Sequence, residues 1–81
     1  MRHQSLVREA LAEFRRIYPD PMVGRAHRAF VGRDEIAVIE TRPRAGEDRR
    51  FLVDVISRTG LPSRYHYALA GDGEPERVPE E

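Results

Sequence analysis

Apolar side chains recur at two different periods along this chain, and the change falls near Met22. In "SLVREALAEFRRIYPDP", Leu6, Val7, Ala10, Leu11, Phe14, Ile17 and Tyr18 follow one another at the spacing of a single stripe on an α-helix. Arg8, Glu9, Ala12, Glu13 and Arg16 make the opposite, wet face. Ser5 is placed to cap the helix, Arg15 and Arg16 suit its negative C-terminal end, and Pro19 and Pro21 stop it.

Beyond Met22 the pattern becomes that of strands. "VGRAHRAFV" (23–31) and "EIAVIET" (35–41) flank the short connection "GRD", which predicts a hairpin. "RRFLVDVIS" (49–57) is a third strand, rich in β-branched and aromatic residues, reached through the loop "RPRAGED" (42–48). The fourth is "RYHYALAG" (64–71), reached through "RTGLP" (58–62). Short connections favour sequential antiparallel neighbours. The expectation is an α+β domain over residues 1–70: one N-terminal amphipathic helix packed on a four-stranded antiparallel meander sheet. The layout is similar to that of cystatin-like domains, a likeness of layout alone. Residues 71–81, "GDGEPERVPEE", read as an acidic, disordered tail whose removal leaves stability nearly unchanged.

Length and composition narrow the functional classes. At 81 residues the chain forms one domain with a small core. Cysteine is absent, so disulfides, thiolate chemistry and cysteine-based zinc sites are excluded. No apolar run approaches a membrane span of ~18–20 residues and no signal-peptide pattern appears, so a cytoplasmic protein without membrane attachment is expected. All 14 cationic side chains are arginine. Arginine grips phosphate and carboxylate better than lysine does, but the absence of asparagine and the abundance of alanine point first to compositional bias. Net charge is zero, yet it is divided: residues 1–70 hold thirteen arginines against nine acids, and residues 71–81 one against five.

"RYHYALAG" concentrates aromatic and basic side chains, and alternation sorts them. Tyr65, Tyr67 and Leu69 point to one face with Phe51, Val53 and Val55, which the helix should cover. Arg64 and His66 fall on the other face with Leu52, Asp54 and Ile56, and Asp54 is expected to pair with Arg64. The hairpin strands are apolar on both sides, Ile36 and Val38 on one and Ala37 and Ile39 on the other. A solvated sheet face should alternate with polar residues, so a second copy or another partner is expected to cover this one.

Catalytic groups do not converge. His27 and His66 lie on the first and fourth strands, ~14–15 Å apart in an open meander and too far to share a metal. His3 lacks the helical spacing of a zinc pair, and no phosphate loop, dinucleotide fingerprint or nucleophile elbow occurs. No catalytic residue, metal or cofactor is expected. The leading expectation is an interaction domain, self-associating as a homodimer or binding a protein partner through an open sheet face or edge strand, with Ile36, Val38, Leu52, Ile56, Arg64 and His66 as contacts. The alternative is nucleic-acid binding through an arginine-rich rim of Arg25, His27, Arg42, Arg44, Arg49, Arg50 and Arg58. A third, more distant reading is a metal-independent RNase. It would resemble the small mRNA-cleaving toxins of toxin–antitoxin pairs, in residue types only.

Overall fold

The computed structural model describes residues 2–57, 62–71 and 73–79. Helix α1 (Arg2–Ile17) precedes five strands: β1 (Ala26–Val31), β2 (Asp34–Thr41), β3 (Arg49–Ile56), β4 (Pro62–Leu69) and β5 (Glu76–Val78). They form one antiparallel sheet in the order β1-β2-β3-β4-β5. The fold is α+β, with the helix on one face of an open sheet. No helix among the described residues is long and apolar enough to cross a membrane.

The helical stripe becomes the core as its spacing requires. Val7, Ala10, Leu11 and Phe14 are buried against Ile36 and Val38 of β2, Phe51, Val53 and Val55 of β3, and Tyr67 and Leu69 of β4. Phe14 meets Phe51 edge to face at 5.7 Å between ring centroids. Two details differ from the sequence reading. The helix begins upstream of Ser5, which is therefore an exposed interior residue and not a cap. Ile17 sits at the margin of the stripe and is 39% exposed.

The fifth strand corrects the expected four. β5 pairs with β4 through His66↔Val78, Tyr67↔Arg77 and Ala68↔Glu76, so part of the segment read as tail belongs to the sheet. Apolar content alone did not foretell this, because other forces hold the segment. β4 offers an open edge of backbone groups that must be satisfied. The buried Arg50 donates from Nη2 to the Pro79 carbonyl at 3.2 Å, and the Arg77 guanidinium lies over the Tyr65 ring, 4.8 Å from its centroid. Pro75, just before the strand, is buried.

A buried ion pair joins the helix to the sheet. Glu40 and Arg49 stand diagonally across β2 and β3, on the helix-covered face. Arg49 Nε and Nη2 donate to the two Glu40 carboxylate oxygens at 2.9 and 2.8 Å. The same guanidinium donates to the carbonyls of Tyr18 and Pro19, at 3.0 and 3.2 Å. Carbonyls at a helix C-terminus lack partners within the helix, and a cation there complements the helix dipole. Arg49 thus fixes where the chain leaves α1.

Two glycines shape β1. Gly32, with φ of 63°, takes the first position of the two-residue turn to β2, where the turns that match strand twist need positive φ. Gly24, with φ of 95°, donates to the Glu40 carbonyl, while Glu40 N–H donates to the Arg25 carbonyl, both at 2.8 Å. Two residues therefore oppose one, a bulge with glycine in its left-handed position.

Candidate interaction surface

The sheet registers lay out the face that α1 leaves uncovered. One row crosses all five strands through Ala26, Ile39, Leu52, His66 and Val78. A second carries Arg28, Ala37, Asp54 and Arg64, and a third Phe30, Glu35, Ile56 and Pro62. The charges in the second and third rows are paired. Arg64 donates from Nε and Nη2 to both Asp54 oxygens at 2.8 and 3.2 Å, the partnership expected from the sequence. Arg28 Nε lies 3.2 Å from Glu35 Oε2. Two arginines are thus set against two carboxylates, and these rows have no excess of either sign.

The expected contact residues divide between the faces. Leu52, Ile56, Arg64 and His66 do share the open face. Ile36 and Val38 do not: they are 0% and 1% exposed beneath α1, in phase with Val55 and Val53, so they are core residues. Their open-face counterparts on β2 are Ala37 and Ile39. Ile39 and Ile56 are each 37% exposed, whereas Phe30, on β1, is 70% exposed.

The expected cationic rim is also divided. Arg49 is sealed in its pair with Glu40. Arg50, equally buried, donates to Glu47 Oε2 at 2.7 Å as well as to Pro79. Both guanidiniums are committed to partners within the chain. Arg25 is half-buried, its guanidinium 4.5 Å from the Tyr18 ring centroid on the helix side, and His27 packs edge to face on the same ring at 6.4 Å. Arg42 and Arg44 remain exposed in the β2–β3 loop. Arg58 lies outside the described residues. An open groove of about 370 Å³ lies between that loop and the sheet, lined by Thr41, Arg42, Pro43, Arg44, Arg50 and His66.

The histidines are kept apart as the topology requires, His27 on the helix-covered face of β1 and His66 on the open face of β4. His66 Nε2 is buried without a hydrogen-bond partner, between Leu52 and Val78 in the apolar row. Among the described residues, no group of three or more His, Asp or Glu side chains could hold a metal. The fold alters the titration of Glu47. The Arg44 backbone N–H, 3.0 Å from Oε1, holds its pKa below the ordinary carboxylate value; burial opposes this, and the Arg50 guanidinium reinforces it.

Among the described residues, strand β1 is an edge, with β2 on one side and no strand on the other. The bulge contact at Glu40 fixes which of its backbone groups are used. Residues of an antiparallel strand alternate between facing their partner and facing away. Since the Arg25 carbonyl bonds to Glu40, the odd-numbered residues of β1 face β2, and the backbone groups of Ala26, Arg28 and Phe30 point outward. Their side chains also lie on the open face. Sequence reasoning missed Phe30 and Arg28 as site residues. Their alternation with Ala29 was visible, but their edge position depends on the register.

The chain matches no protein-family model, no curated protein and no solved structure.

Proposed function

We propose that this protein is a small self-associating interaction domain that docks through the β1 edge of its sheet. The observation that carries the reading is Phe30, an aromatic side chain 70% exposed on a strand whose outward N–H and C=O groups have no strand beside them among the described residues. Full burial of such a side chain contributes ~1.5–3 kcal/mol, a large share of the stability of a small domain. Edge strands in stable monomers are commonly kept short or blocked by proline, lysine or bulges. β1 has six residues without proline, and its bulge lies at the end remote from Phe30.

The edge is favoured over the open face because that face largely covers itself. Arg64 and Arg28 are paired with Asp54 and Glu35, Leu52 is half-buried, and Ile39 and Ile56 are each 37% exposed, which is ordinary for a monomer surface. Nucleic-acid binding is supported less, since Arg49 and Arg50 are committed to internal carboxylates and carbonyls.

Sedimentation equilibrium over a concentration series tests the reading. The wild type should approach twice its 9.3 kDa chain mass, while Phe30→Glu stays monomeric with its fold intact. Ile56→Lys, separated from the edge by β2, should still dimerise. A wild-type monomer at high micromolar concentration would overturn self-association. Dissociation by Ile56→Lys but not Phe30→Glu would move the contact to the open face.

A further inference from the structure

We infer that the docking partner is a second copy of this chain, added antiparallel to β1 about a two-fold axis at Ala29, with Phe30 of each copy lying over Arg28 of the other. This rests on the self-association reading and specifies its register. A two-fold pairing sets each residue of β1 opposite a fixed residue of the other β1. Only even-numbered residues present backbone groups outward, so even must meet even, and the axis must pass through a residue position. Every residue of β1 meets that condition; axes at Ala26 and Val31 leave almost no ladder within the strand, and side-chain chemistry and ladder length separate the other four.

An axis at Arg28 sets two like charges directly opposite one another, which destabilises a strand pair. An axis at His27 sets Phe30 against the bulge at Gly24, where no side chain covers the ring. An axis at Phe30 shortens the ladder and sets Arg28 opposite the Gly32 turn, where it meets no aromatic ring. The axis at Ala29 places Phe30 opposite Arg28 twice, and guanidinium over an aromatic face is attractive. Arg28 can keep its contact with Glu35, since that carboxylate lies on its other side in β2. The axis itself then falls on two small side chains. A net charge of zero leaves no overall repulsion between the copies.

This register makes Ala29 face Ala29 in a non-hydrogen-bonded pair, with Cα atoms ~4.5 Å apart, inside the range that a disulfide spans. The wild type has no cysteine, so a single introduced thiol can cross-link only between copies. The experiment compares His27→Cys, Arg28→Cys, Ala29→Cys and Phe30→Cys under mild diamide oxidation, read on non-reducing gels beside sedimentation of the reduced proteins. Ala29→Cys should form covalent dimer about tenfold faster than the other three, whose thiols would sit beyond disulfide reach. Fastest cross-linking at position 27, 28 or 30 would overturn this register while keeping the β1 edge. Sedimenting dimers with no preferential cross-linking at any of the four would overturn edge docking. Monomers throughout, the cysteine-free wild type included, would overturn the self-association reading as well.

Discussion

Arg49 grips both carboxylate oxygens of Glu40 while it also donates to the carbonyls of Tyr18 and Pro19 just beyond the helix, and the two side chains are only 5% and 2% exposed. Removing one partner leaves the other charged and buried, which typically costs ~3–5 kcal/mol. Glu40→Gln or Arg49→Met alone should therefore bring the protein close to unfolding in urea melts. The double variant Glu40→Leu with Arg49→Met should recover part of that loss, because no buried charge remains. Single variants as stable as the wild type would show that the pair does not anchor the helix.

The segment after Ala70 is a second test, because its acidic composition and its structure point in opposite directions. Truncation after Ala70 removes β5, exposes the β4 edge and takes the Pro79 carbonyl from the buried Arg50. An unsatisfied buried donor costs ~1–3 kcal/mol. For a domain of this size each kcal/mol lowers Tm by roughly 4–8 °C. A calorimetric Tm unchanged by truncation would show that β5 contributes nothing to the fold.

Glu47 gives the stability a pH dependence of known sign. Its pKa in the folded state lies below its unfolded value, held there first by the Arg44 backbone N–H. Its ionised form therefore stabilises the fold above the ordinary carboxylate range, and the contribution disappears as pH falls through the lowered folded-state pKa. Glu47→Gln should be less stable than the wild type at neutral pH, and the two should converge in acid. Urea midpoints measured from neutral pH downward check this; a constant difference across the range would contradict it.

Periodicity alone revealed the helix, four of the strands and the face that each residue of β3 and β4 occupies. It also anticipated the Asp54–Arg64 pair, since both residues fall in the polar phase of apolar strands. β2 was harder to phase because it is apolar on both sides, and only its register with β3 shows that Ile36 and Val38 meet the helix. A one-residue slip would exchange its faces. The buried pair nevertheless left a trace: Glu40 is in phase with Ile36 and Val38, and Arg49 with Phe51 and Val53. A charge of each sign in core phase on adjacent strands is the pattern of a buried ion pair. β5 was obscured because it is held by backbone pairing with β4, by the Arg50 guanidinium on the Pro79 carbonyl and by the Tyr65 ring under its own Arg77, none of which local composition records.

The outward amides of β1 provide the most direct view of the proposed interface. Amide hydrogen exchange reports whether each N–H is hydrogen-bonded, residue by residue, without altering the sequence. In a monomer the amides of Arg28 and Phe30 face solvent and exchange rapidly at every concentration. In the dimer they bond across the axis. NMR-detected exchange should therefore show protection of Arg28 and Phe30 rising with protein concentration, while His27 and Ala29, bonded to β2, stay protected throughout. Rapid exchange of Arg28 and Phe30 at high concentration, with the rest of the sheet protected, would contradict docking at the β1 edge.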